Sequence, residues 1–385
     1  MAKIGNDPVL FENRKPWLSL ISLILISLGG LIVGQFFAVL LVVQIFDLGM
    51  YQVMEIVTNV SEYPEYKSAI YILQGLSAVF AFILAPWFYL RFVEKKRLGD
   101  LNTNKSIYAV PVALSLLVSV VFMAVNFKFA EWNAQMVLPE FLRAVEEWMR
   151  MQEDKLEEAT IFLTNINSLS EFALAMLVIA IIPAIGEELL FRGLIQNHLH
   201  NWTRNAHLSI WITGILFSAI HVQFYGFVPR MFLGVLFGYM YLWSGNILYP
   251  ILAHFANNGF QVLMLYLYKS EFTSFNIDES DTIPWTVFFT SAVISAVLIL
   301  SFKRHFMKQE QDMEHDLGDW HKVFSTDQMH KAEIVKAVLT DHQLNPVLIN
   351  KKDSSYHNFG EIEIHVTSEN ILRARKIIEN DINFE

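Results

Sequence analysis

The sequence predicts an α-helical polytopic membrane protein of about eight transmembrane helices, followed by a small C-terminal α+β domain of βαββα order. Three observations carry this. Of the 385 residues, 54% are hydrophobic and only 17% are charged, whereas soluble domains carry roughly 25% charged residues. The charge is unevenly spread: it occupies roughly 31% of positions 303–385 and roughly 13% of the first 302. Apolar runs of about 20 residues, the length that crosses a bilayer, recur through the charge-poor body. The expected organisation is a membrane domain over 1–305, a linker over 306–319 and a cytoplasmic α+β domain over 320–385.

The runs are taken in order. Trp17 to Phe46 contains no charge and exceeds the needed length, so it is expected to tilt. Ala69–Leu90, Ile107–Phe127, Leu169–His200, Leu208–Phe227, Val228–Trp243, Ile247–Tyr268 and Trp285–Phe302 follow. Trp17, Trp87, Tyr89, Tyr241, Trp243 and Trp285 cluster at their ends, as interfacial belts do. Basic residues precede the first run (Lys3, Arg14, Lys15), join the second to the third (Arg91, Lys95 to Arg97, Lys105) and follow the last (Lys303, Arg304, Lys308). By the positive-inside rule these segments and both termini are expected in the cytoplasm. The acidic segments Asp47–Tyr66, Glu131–Glu158 and Glu271–Asp281 then lie outside, and Leu138–Ile161 is an amphipathic helical stretch on that surface.

Other totals exclude classes of function. The net charge is −10 and no basic domain stands out, so nucleic acid is not an expected partner. The absence of cysteine removes disulfides, thiolate nucleophiles, cysteine-ligated zinc and palmitoylation.

Charges inside spans are costly and mark function. Here nearly all of them fall in three places. The fourth run carries Gly186-Glu187-Glu188-Leu189-Leu190-Phe191-Arg192, the fifth Phe217 and His221, the seventh His254 and Asn258. Glu188 and Arg192 are i,i+4 neighbours and can pair. Glu187 is turned about 100° from Glu188, so the two carboxylates can face different partners. His254 and Asn258 share a face. Together these groups are expected to line one polar cavity open to the cytoplasmic side. A carboxylate beside two imidazoles can deprotonate a water, and an asparagine amide can donate to an oxyanion. Glu187, His221 and His254 are also a candidate ligand set for a divalent metal such as zinc, although no His-Glu-x-x-His run is present. Each group has a structural reading too: an ion pair for Glu188–Arg192, a core histidine for His221, an interhelical hydrogen bond for His254–Asn258. His198, His200 and His207 are expected to be solvated near the interface.

In this order the motifs Glu187-Glu188-x-x-x-Arg192, Phe217-x-x-x-His221 and His254-x-x-x-Asn258 resemble the CPBP family of intramembrane proteases. That family includes the type II CAAX prenyl endopeptidases and bacterial Abi-type proteins. The resemblance covers about residues 165–270. It implies an endopeptidase acting on a membrane-associated protein or peptide, of metallo- or glutamate type. Carried over by position, Glu187 is the general base, working with His221 on the attacking water. His254 and Asn258 stabilise the oxyanion or complete a metal site, and Glu188 and Arg192 fix the helix and the substrate carboxylate. Two other classes stay open on the sequence: a non-catalytic membrane adaptor or immunity-type protein, and a small-molecule transporter, against which the lack of visible repeats counts.

Beyond the linker, His321–Ser325, Pro346–Asn350 and Gly360–Val366 are predicted strands, the last with Ile362, Ile364 and Val366 on one side. Asp327–His342 is a predicted helix with Met329, Ile334, Val335, Val338 and Leu339 near one face. Ser368 is the expected N-cap of a helix over Glu369–Asn380. This order is similar to the small prokaryotic signal-transducing protein domain, which implies a docking or sensing module with a regulatory partner or ligand. Its histidines, His321, His330, His342, His357 and His365, are expected at the surface.

Overall fold

The computed structural model describes residues 15–274, 282–316, 320–326, 328–350 and 362–382. Two compact units are present, Met1–His305 and Phe306–Glu385.

The first unit is helical throughout its described residues. Pro16 opens α1 (Pro16–Phe46), where a missing N–H costs nothing. Then come α2 (Met50–Thr58), α3 (Pro64–Val93), α4 (Ala109–Ala134), α5 (Arg143–Thr164), α6 (Leu169–Thr203), α7 (Ala206–Ala219), α8 (Phe227–Ser244), α9 (Leu248–Lys269) and α10 (Trp285–Asp316). Leu25, Ile32, Val293 and Val297 stand exposed on α1 and α10, as side chains that face lipid do. Among the described residues, five helices are long and apolar enough to cross a membrane: α1, α3, α4, α6 and α10 over Trp285–Lys308.

The expected count of eight therefore splits. The three that fall short are α7, α8 and α9, the helices that complete the motif region with α6. At 14 residues, α7 spans about 21 Å, less than the roughly 30 Å of a hydrocarbon core. It stops at Ala219 rather than Phe227. The other two are long enough, but Arg230 on α8 and His254, Asn257, Asn258 and Gln261 on α9 make them too polar.

Both α3 and α6 contain wide, π-type turns, at Val79–Leu84 and Tyr89–Val93 in α3 and at Met176–Ile181 and Leu189–Gln196 in α6. Each helix carries a proline, Pro86 or Pro183, four residues beyond a carbonyl in its first wide turn. A proline has no N–H to return to that carbonyl, so the ladder opens there. The two helices meet at Gly186, where a Cβ would lie 2.7 Å from that of Phe82. Any larger residue would force α6 away from α3 and carry Glu187 with it.

In the second unit, α10 stays helical through Asp316, so the described part of the expected linker is a helix extension. Strands β1 (Trp320–Thr326), β2 (Val347–Asn350) and β3 (Ile362–Thr367) form an antiparallel sheet of order β1-β3-β2. Helices α11 (Met329–Asp341) and α12 (Ile371–Asp381) complete the βαββα order. Ile362, Ile364 and Val366 are buried, as the alternation predicted. The buried face of α11 is Ala332, Val335 and Leu339; Met329 and Ile334 are exposed. Ser368 opens a 3₁₀ turn, capped at Thr367, instead of capping α12 itself. His365 is not at the surface but half-buried, 2.7 Å from Glu363. His357 lies outside the described residues.

Candidate active site

The site is built on α6. Its opened first turn leaves the carbonyl of Ile179 without the N–H that position 183 would normally return. The side-chain amide of Asn258 on α9 takes that place, donating at 3.0 Å. Asn257 donates to the Asn258 side-chain oxygen, Oδ1, at 3.0 Å, so the amide's orientation is fixed from both ends.

About two and a half turns further along α6, Glu188 and Arg192 are both fully buried and pair at 2.7 Å. The guanidinium also donates to the carbonyl of Gly234 on α8 at 2.8 Å. It stacks over Phe217 and Phe237, 4.7 and 5.4 Å from their ring centres. The same Glu188 oxygen lies 2.8 Å from Nδ1 of His254. On the other side of the ring, Nε2 lies 3.3 Å from the Asn258 amide and 4.0 Å from Glu187 Oε2. Because Asn258 donates to Nε2, the proton of the neutral ring sits on Nδ1 and points at Glu188. The expectation that the two carboxylates face different partners is thus refined. Both face His254, one at each nitrogen.

His221 sits just past the end of α7. Its Nδ1 lies 2.8 Å from the Phe217 carbonyl, and the Phe217 ring lies between it and His254, 5.3 and 6.0 Å away. Glu187, His254 and Arg230 all act electrostatically on His221. The six motif residues therefore gather at one place, with Glu187, Glu188, His254, Asn258 and Arg192 in a continuous network and His221 beside it.

The proposed metal set does not assemble in this arrangement. His254 has one nitrogen on Glu188 and the other facing an amide donor. Among the described residues, no three His, Asp or Glu side chains stand close enough to hold a metal ion.

The loop after His221 returns beneath α5. Trp148 packs on Phe224, Arg150 lies 4.5 Å from the Tyr225 ring centre, and Glu153 accepts from the Tyr225 N–H. Asn133, at the end of α4, accepts from Val228 N–H and donates to the Phe224 carbonyl. The loop that follows His221 thus packs against α4 and α5, because α7 ends six residues short of Tyr225. On α5, Arg150 donates to Glu146, and the Leu138 N–H adds a second bond. These bonds, Arg150 first, hold the Glu146 carboxyl below its ordinary value.

Sequence reasoning missed a second buried polar group. His198 is buried, not solvated; its Nε2 lies 3.1 Å from the Tyr89 hydroxyl, which donates to Glu94 at 2.7 Å. His207, by contrast, is exposed as expected, and lies 2.6 Å from the Tyr239 hydroxyl. Glu94 was hidden in a run of basic residues, and its burial had no sequence signal beyond an acid standing among them. An open pocket of about 540 Å³, lined by Lys67, Asp154, Glu157, Glu158 and Glu171 among others, is touched by none of the motif residues.

With this geometry in hand, comparison places the segment in a class: residues 169–260 match the family model described as type II CAAX prenyl endopeptidase Rce1-like. The match runs from the start of α6 into α9 and takes in all six motif residues. The uncharacterized protein YpbD of Bacillus subtilis (strain 168) is 30% identical over 84 residues, which are 21% of this chain and 40% of that protein. The chain therefore matches well under two thirds of that relative's length. No solved structure matches.

Proposed function

We propose that the chain is an intramembrane endopeptidase that hydrolyses a peptide bond of a membrane-associated protein or peptide. The Rce1-like segment supports an intramembrane protease at the level of the family. The observation that carries the finer reading is His254 held between two carboxylates, with a fixed asparagine amide beside it. Glu187, with His221 beside it, takes a proton from water, and the hydroxide attacks the peptide carbonyl carbon. When His254 Nε2 carries a proton, that N–H and the Asn258 N–H it then releases donate to the oxyanion. Glu187 then returns its proton to the leaving nitrogen as the C–N bond breaks. Glu188 and Arg192 hold His254 in place and do not meet substrate. No step passes through a metal.

The basic segments support an orientation with both termini in the cytoplasm of a bacterial cell, and the second unit there as a regulatory docking module. The test compares wild type with Glu187→Gln in cells, reading new peptide termini of membrane proteins by mass spectrometry. Products specific to the wild type, lost in a variant that inserts and melts like it, are expected. Identical products from both would overturn the assignment and leave an adaptor.

A further inference from the structure

Arg192 cannot serve the substrate. Its guanidinium is fully buried and held by Glu188 and Gly234. A second arginine outside all three motifs stands at the site with its charge less committed. Arg230 lies on the first turn of α8 and is partly exposed. Both of its hydrogen bonds go to one residue of the loop after His221: Nη1 donates to the Gln223 carbonyl at 3.4 Å, and Nη2 to the Gln223 side-chain oxygen. Among the described residues no carboxylate comes within ion-pair distance of it; Glu153 and Glu187 act on it only through their fields. The chain also makes room for it. At Gly226 a Cβ would lie 2.6 Å from Nη1 and 2.9 Å from Cζ, so a larger residue would push the guanidinium out of its seat.

A half-buried cation with no ion pair, seated by a loop beside the reacting groups, needs a partner. A planar guanidinium with N–H groups to spare fits a carboxylate, two bonds at once. We propose that Arg230 is the specificity residue of the site. It binds a carboxylate of the peptide, from an acidic side chain or the C-terminus, and so sets the scissile bond over Glu187 and His221. This rests on the endopeptidase reading above.

The test uses the full chain in liposomes and a library of apolar peptides of mixed sequence. Each peptide is made in matched forms: Glu or Gln near its centre, and C-terminal acid or carboxamide. Wild type is expected to favour the form carrying the recognised carboxylate by roughly tenfold or more, the worth of a charge-assisted hydrogen bond. Whichever pair shows the preference names its source. Arg230→Gln and Gly226→Ala should both bring that ratio close to one, and Arg230→Lys should keep part of it. A purely structural role would lower all rates and leave the ratio alone. A wild-type ratio near one, or a ratio unchanged in Arg230→Gln, overturns the proposal. Cleavage that persists in Glu187→Gln overturns the endopeptidase reading instead, whatever the ratio.

Discussion

At the scale of single residues, the site turns on which groups are irreplaceable partners. Glu188 and Arg192 are buried together, and removing one member leaves a bare charge in the interior. Glu188→Gln is expected to cost about 3–5 kcal/mol, read from unfolding in detergent, while the double variant Glu188→Met with Arg192→Met stays closer to wild type. Asn258→Asp would set a carboxylate oxygen against the Ile179 carbonyl in place of an amide donor. Losing that bond costs about 1–3 kcal/mol, and proteolysis should fall with it. The i,i+4 pair was legible because both partners sit on one helix. The third partner, His254, was not, since it lies 66 positions from Glu188 and only packing brings α9 to α6. His198 was misjudged for the same reason: nothing near it in sequence shows that Tyr89 and Glu94 enclose it.

At the scale of elements, Pro183 shapes α6, the helix that carries Glu187 and Glu188. Pro183→Ala restores an N–H that can reach Ile179 and compete with Asn258. The expected outcome is a chain at least as resistant to thermal unfolding and clearly less active, a split that a melting curve and a cleavage assay would resolve. The proline was visible in the sequence, but its effect depends on an asparagine 75 positions away. The early end of α7 was hidden by apolar residues that continue past it: Ile220 and Val222 prolong the hydrophobic pattern while the chain has already turned. The α5 helix carries a pH dependence. The Glu146 carboxyl is held below its ordinary 4.5, so its contribution is complete above that value and is lost as pH falls through the lowered one. Hydrogen exchange across 138–150, corrected for intrinsic rates, should accelerate in wild type as pH falls below the ordinary carboxylate value and through the lowered one. Glu146→Gln should show no such transition.

At the scale of the whole molecule, the chain is two folding problems with different solvents. The second unit builds its own core from Ala332, Val335, Leu339, Leu344, Ile362, Ile364, Val366 and Ala374. Leu339→Ala there should cost about 2–5 kcal/mol, measured by urea unfolding of that unit with the membrane unit intact. This part was legible because alternation and helical spacing are local, and β3 follows its pattern residue for residue. The membrane unit was legible as apolar runs and illegible as a count of crossings. Runs that share their length with α7, α8 and α9 hide polar or shortened helices, and those three complete the motif site with α6.

The shortness of α7 bears on the second reagent. Hydrolysis consumes one water for every bond broken, and a bilayer interior holds almost none. At 14 residues α7 is about 9 Å shorter than the hydrocarbon layer is thick, and the loop 220–226 that follows it, with Gln223 and the neighbouring Arg230 of α8, presents groups that water wets. On the endopeptidase reading proposed above, supply of the nucleophile depends on the length of one helix, and lengthening α7 by a turn is expected to lower cleavage without altering any motif residue.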